Sequence, residues 1–301
     1  MRLSDYDQSR PTNSAYRDLL EHILAYGQGV DTQMEEPALT VFGYQMRFPL
    51  RAGFPLITER DLAVDGERPV FQQAIGELCA FLNGAHTAAE LESFGCHWWK
   101  PWVSAEKCAK RDLPPGDLGP GSYGPAWHDF PTAEGTPFNQ VQHLVEQIRE
   151  KPHLRTHFLS PWVPQYCGRG QGKKQRVVVV PCHGWVHVRI LGRQLHLHHF
   201  QRSADAPVGL PANLIMYGAL TLMLAQVLGY EPGELVFTVS DLHIYASQVE
   251  AVRRLLTTAP QKLPLVITDP AVTDVFAFRP SHFTVLVYHP QLPRHRIVTP
   301  V

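Results

Sequence analysis

The chain has 301 residues, of which 44% are hydrophobic and 18% charged, a balance that fits a folded globular protein and excludes a disordered one. Its 27 basic and 28 acidic residues nearly cancel, so no global field draws it to nucleic acid or a membrane surface, and any anion site must be local. No run approaches the roughly 18 apolar residues of a membrane span, and the opening MRLSDYDQSRP lacks the apolar core of a signal peptide. The five cysteines, Cys79, Cys96, Cys108, Cys167 and Cys182, are odd in number and form no CxxC, which argues against a disulfide framework or zinc ribbon and for a reducing cytoplasm.

Residues 14–27 read as an amphipathic helix capped by Ser14 and stopped near Gly27. Residues 38–50 alternate as a strand pair or one bent strand, and 69–83 as a mostly buried helix ending before Gly84. Residues 100–136, rich in Pro, Gly and charge, read as a long structured loop of the kind that carries function. A helix over 137–150 and a flexible basic turn over 168–176, GRGQGKKQR, follow. Two strong strand signals, VVVVPCHGWVHVRI and RQLHLHHFQRS, make a hairpin about Leu191-Gly192. Residues 212–229 are apolar on nearly all sides, as in a central buried helix. A strand over 233–245 and a helix over 245–257 complete the series. No repeat or low-complexity tract interrupts it, so one α+β or mixed α/β domain over residues 1–301 is the simplest reading.

Cys182 sits in Val-Val-Pro-Cys-His, where a proline inside a strand pattern marks an edge or bulge that can re-aim a side chain. A thiolate near neutral pH needs nearby positive charge, and Arg202 on the paired strand can supply it. Adjacent strand residues point apart, so Cys182 and His183 do not form a thiolate–imidazole pair. His196 and His198 share a strand face as a possible metal pair, but no acidic or cysteine partner is spaced to complete it, and strand packing is the favoured reading. The basic turn 168–176 is short and lacks interleaved aromatics, which favours a solvated loop over an RNA site. Taken singly, Cys182 could be a buried thiol, Trp98, Trp99 and Trp102 plain core, Asn213 a helix cap, Asp241 a turn cap and Glu77 a solvated helix position.

Ordered motifs change that balance. Pro181-Cys182-His183 is followed by Gln201-Arg202-Ser203-Ala204-Asp205, then by Val208-Gly209-Leu210-Pro211-Ala212-Asn213 and Asp241-Leu242-His243-Ile244-Tyr245. Upstream lie Glu77-Leu78-Cys79-Ala80-Phe81-Leu82-Asn83-Gly84, Asp117 to Pro120 and Tyr123-Gly124, with further matching segments at 42–48 and 53–56. In this order they resemble the thymidylate synthase family from about residue 14 to the C-terminus. The resemblance implies a single catalytic domain with a large mixed or antiparallel sheet flanked by helices. It implies one-carbon transfer from 5,10-methylenetetrahydrofolate to C5 of a uracil nucleotide such as dUMP, with no metal, in a homodimer.

It also implies roles. Cys182 adds to C6 of the pyrimidine. Arg202, Gln201 and Ser203 hold the nucleotide, and Arg202 lowers the thiol pKa. Asn213 reads the uracil edge through an amide that both donates and accepts. His243 and Tyr245 hold the sugar hydroxyl. Glu77 manages proton transfer. Tyr123 lies beside the nucleophile, Arg155 reaches into the partner's site, and Asp205, Trp99, Trp102, Gly209 and Ala212 form the folate side.

Departures from the family pattern fall at the phosphate and folate ends. A phosphate-clamping arginine position falls near Gln33, and a paired Arg-Arg reads Arg155-Thr156. The family's Pro-Phe-Asn is Pro211-Ala212-Asn213, and its Trp-Asp-Glu-Trp is Trp99-Lys100-Pro101-Trp102. A more open folate wall admits water, so the reading leans to hydroxymethylation over reductive methylation to dTMP; a catalytically silent nucleotide- or RNA-binding member is the third reading. Asn213 favours uracil over cytosine. The end, Ile297-Val298-Thr299-Pro300-Val301, resembles the family's tail that closes over folate.

Overall fold

A computed structural model describes residues 1–64 and 66–300. Six strands form one mixed sheet: β1 (Gln28–Val30), β2 (Ala38–Pro49), β3 (Phe158–Leu159), β4 (His183–Leu191), β5 (Gln194–Asp205) and β6 (Glu231–Tyr245), in the order β1-β2-β6-β5-β4-β3. Every pairing is antiparallel except β5 with β6. The four longest helices are α1 (Ala15–Tyr26), α2 (Val70–Leu82), α3 (Gln140–Glu150) and α4 (Gly209–Leu228). The fold is therefore mixed α/β, as the sequence leads one to expect.

The parallel β5–β6 step requires a crossover, and α4 provides it. Its residues from Leu210 to Ala225 are all buried, which explains the absence of a polar face in the sequence. By length and composition α4 could cross a membrane, but 89% of its apolar window is buried inside the protein. Gly229, at φ +73°, closes it in the left-handed conformation that glycine adopts without strain. One contiguous apolar core runs from Met1 to Ile297, and a small separate patch joins Cys167, Val177 and Val180.

Several local expectations shift by a few residues. The 38–50 segment is one long strand. Ser14 stands at the start of α1, but its hydroxyl bonds Asp18 and caps no backbone N–H. Asn139 caps α3, its Oδ1 accepting from the Gln142 N–H at 2.9 Å. The 100–136 loop holds short helical turns, Lys100–Trp102, Ala105–Ala109 and Tyr123–His128. The run over 177–182 is not a strand: Pro181 has no N–H for a ladder, and Val178 N–H pairs instead with Leu118 O at 3.0 Å. A second, two-stranded sheet pairs β7 (Leu265–Thr268) with β8 (Phe283–Leu286), a region for which no element is predicted above.

Candidate active site

The register of β5 against β6 places two separate motifs side by side. Ser203 pairs with Asp241 and Asp205 with His243. On the other flank of β5, Arg202 N–H bonds Cys182 O at 2.9 Å, just before β4 begins. The pairing slips between His183 and Val186. Gly184 lies in that slip, and a Cβ there would stand 2.6 Å from Phe200 O, so only glycine lets the strand after the cysteine approach β5 this closely.

Cys182 is held by two residues, Tyr123 and Arg202. Its N–H donates to Tyr123 Oη at 2.7 Å, with His183 N–H on the same oxygen at 3.4 Å. The Arg202 guanidinium binds Pro181 O through Nε at 2.8 Å and Val180 O through Nη2 at 2.9 Å, and Nη2 lies 3.4 Å from Cys182 Sγ. The expected arginine–thiol contact is present and lowers the thiol as expected, but burial outweighs it. Burial pushes the thiol up, and Arg202 only partly offsets this, with Asp241 adding to the rise. The free protein therefore holds a thiol next to a cation, and ionisation must accompany attack.

Glu77 lies on α2 at 6% exposure, which removes the solvated reading. Its Oε1 accepts from Trp98 Nε1 at 2.8 Å and Trp99 Nε1 at 2.5 Å. Burial lifts the carboxyl to about 7 against the pull of both indoles. A carboxyl balanced at neutral pH can give and take a proton, the requirement for general acid–base work.

Asn213 lies in the first turns of α4, past the cap. Its orientation follows from a backbone carbonyl. Gln201 Nε2 donates to Ser203 O at 3.0 Å and to Asn213 Oδ1 at 2.9 Å. Asn213 Nδ2 must then face His183 Nε2, 2.8 Å away, while His183 Nδ1 meets Tyr217 Oη at 3.0 Å. Burial first, then Arg202, hold His183 down at about 3, so Nε2 stays an acceptor. The Asn213 amide is thus fixed with one N–H and one carbonyl lone pair to spare, the complement of O4 and N3–H of uracil. His183 serves this chain of bonds, a part that the sequence alone did not reveal.

Cys182, Arg202, Ser203, Asp205, His243 and Tyr245 line one cavity of about 570 Å³. His243 Nδ1 lies 2.7 Å from Asp241 Oδ1. The Tyr245 hydroxyl is pushed up to about 12 by burial and stays protonated. Asp205, raised by burial, accepts from Gln248 Nε2 and Thr299 Oγ1, each at 2.9 Å, and Gln248 also binds Val298 O. The C-terminal segment is thereby latched over the cavity. Trp102 forms part of the wall, with Lys107 Nζ 5.0 Å over its ring. Tyr123 is buried between Phe81 and His183. Gly209 opens α4 and Ala212 is buried at 8% exposure. Arg155 is exposed and lies outside this cavity.

No group of three or more His, Cys, Asp or Glu side chains able to hold a metal occurs among the described residues. His198 bonds Thr238 Oγ1 at 2.9 Å, and His196 accepts from Glu234 N–H at 3.3 Å.

A thiol under a guanidinium lines a cavity rich in basic side chains, while the neutral-range carboxyl of Glu77 and the fixed amide of Asn213 are buried outside that lining. The thymidylate synthase family model matches residues 14–299, and the chain belongs to that family. Membership makes it a one-carbon transferase of nucleotide biosynthesis, with methylenetetrahydrofolate as co-substrate and dUMP as acceptor. The cavity suits such a co-substrate: a carboxylate, Asp205, and an aromatic side chain, Trp102, both line it.

Proposed function

We propose that the whole chain, 1–301, acts as one catalytic domain that converts dUMP to its 5-hydroxymethyl derivative. The observation that carries the chemistry is the Arg202–Cys182 contact at 3.4 Å in the cavity that also holds His243 and Tyr245. Arg202 and Ser203 take the phosphate, and His243 and Tyr245 the sugar hydroxyl. Cys182 Sγ bonds C6 as its proton leaves, and the C5–C6 π electrons move toward O4, where Asn213 Nδ2 donates. 5,10-Methylenetetrahydrofolate would supply the one-carbon unit: C5 bonds that carbon and then loses its own proton, the carbon–nitrogen bond breaks, and tetrahydrofolate is the leaving group; a folate that stays bound would also supply a hydride. Glu77 manages the protons exchanged at the base. Water adds to the C5 methylene of the nucleotide, Sγ leaves C6, and the double bond re-forms.

The preference for water rests on Ala212, a buried methyl group where the family carries a phenyl ring. The alternative, reductive methylation to dTMP, has its own support in the C-terminal segment latched through Gln248 and Asp205, which favours folate retention. Electron balance separates the two. Hydroxymethylation is redox-neutral, whereas methylation oxidises the folate. We expect mass spectrometry of the nucleotide to show the hydroxymethyl product without dihydrofolate absorbance; a methyl product with matching dihydrofolate would establish the alternative.

We also place the protein in the cytoplasm as a homodimer with Arg155 offered to the partner's site. The five cysteines are free, which suits a reducing compartment. The outer sheet face carries Phe42 at 86% exposure and stacked pairs Trp185–Phe200 and Phe158–His187, an apolar aromatic surface that a second copy would cover.

A further inference from the structure

Gln33, at the position of a family phosphate-clamping arginine, is neutral, so the charge it lacks must come from elsewhere. The structure brings a guanidinium to it from 136 residues away. Arg169 Nη1 donates to Gln33 Oε1 at 3.0 Å, and Arg169 Nε donates to Gln175 Oε1 at 2.8 Å. Gln175 Nε2 binds Val177 O, which fixes that amide with its oxygen toward Arg169. Gln33, Arg169, Gln175, Arg202 and Ser203 all line the one cavity. Both braces of Arg169 are neutral amides, so they orient its charge without cancelling it, and among the described residues it meets no carboxylate.

The surroundings point the same way. Arg111 is likewise held by carbonyls, Val177 O at 3.0 Å and Lys107 O at 3.0 Å. The cavity lining carries five Lys or Arg side chains against one carboxylate, Asp205, in a chain whose net charge is −1. Local positive charge of this kind in an electrically balanced chain is an anion site. Guanidinium suits a phosphate monoester because it donates two parallel hydrogen bonds.

We propose that Arg169, braced by Gln33 and Gln175, is the nucleotide's second phosphate cation, acting with Arg202 and Ser203. This rests on the reading of the cavity as a dUMP site. The anion could come from either of two sources, the nucleotide phosphate or a carboxylate of the folate, and the phosphate is favoured by the shared cavity with Arg202 and Ser203.

Calorimetry in the absence of folate, with dUMP and with deoxyuridine, separates these. Arg169→Gln weakens dUMP binding about 10- to 100-fold, the range of one charge-assisted contact, and leaves deoxyuridine binding unchanged. Arg169→Lys recovers part of the loss. Gln33→Leu, which removes one brace, costs a few-fold on dUMP alone. Unchanged dUMP affinity in Arg169→Gln overturns the proposal, as does an equal loss for both ligands. A wild-type protein that shows no preference for dUMP over deoxyuridine contradicts the nucleotide reading itself, a failure distinct from that of Arg169.

Discussion

Cys182→Ser lowers turnover by roughly four to six orders of magnitude, the scale of losing a covalent nucleophile, and leaves the thermal melt within about 2 °C. The side chain makes few structural contacts: Sγ faces Arg202 at 3.4 Å and Val180 O at 3.9 Å. A hydroxyl of similar size keeps both. It does not ionise near neutral pH, and no imidazole stands ready to take its proton, because His183 is committed to Asn213 and Tyr217. The turn that presents residue 182 is held by Tyr123 and Arg202 through backbone atoms, so it survives the exchange. Product formation measured beside the melting curve checks both halves. Activity within tenfold of wild type would remove the covalent step.

Glu77→Gln produces the second large effect, and its two parts have opposite signs. Turnover falls about 10²- to 10⁴-fold, the range for a general acid–base group. Stability near pH 8 rises. The folded carboxyl sits at about 7 against an ordinary 4.5, so the native state holds a proton that the unfolded chain has already released. Wild-type stability therefore falls as pH rises from 4.5 to 7, and the loss is complete above that window. The gap is worth about 3 kcal/mol, which the neutral amide does not forfeit, while its oxygen still accepts from Trp98 and Trp99. Melting curves of both proteins at pH 5 and pH 8 should converge at the first and separate at the second, with the variant the more stable. Equal melts at pH 8 would mean that burial does not raise the Glu77 carboxyl above its ordinary value. A gain in stability joined to a loss of rate is the mark of a strained functional group.

Much of the site was legible because its residues fall in compact, ordered motifs. Cys182, Arg202, Asn213, His243 and Glu77 each stand in such a run, and β5–β6 pairing then explains why Ser203 and His243 converge. The buried helix α4 was legible for a different reason: apolar residues on every side have only one stable place, the interior. What was missed is non-local or collective. Arg169 and Gln33 are 136 positions apart, on turns without periodicity, and the basic turn 168–176 reads as plain solvated charge until the fold folds it against the cavity. The link from Gln248 to Asp205 and Val298 joins three distant segments. Arg202 lowers the Cys182 thiol as its motif implies, but the net rise is not legible in the sequence, because desolvation depends on everything packed around the thiol. The strand over 177–182 failed on hydrogen bonding, since a β-like composition cannot replace the N–H that Pro181 lacks.

The most direct test of covalent catalysis uses a nucleotide that cannot finish the reaction. With fluorine at C5 of dUMP, the proton that must leave C5 is absent, so an adduct formed at C6 in the presence of methylenetetrahydrofolate is trapped. Intact-protein mass spectrometry, followed by peptide mapping, is expected to show one nucleotide and one folate added per chain, both on the peptide carrying Cys182, with none in Cys182→Ser. An unmodified wild-type protein, or an adduct mapped to any other cysteine, would contradict the account.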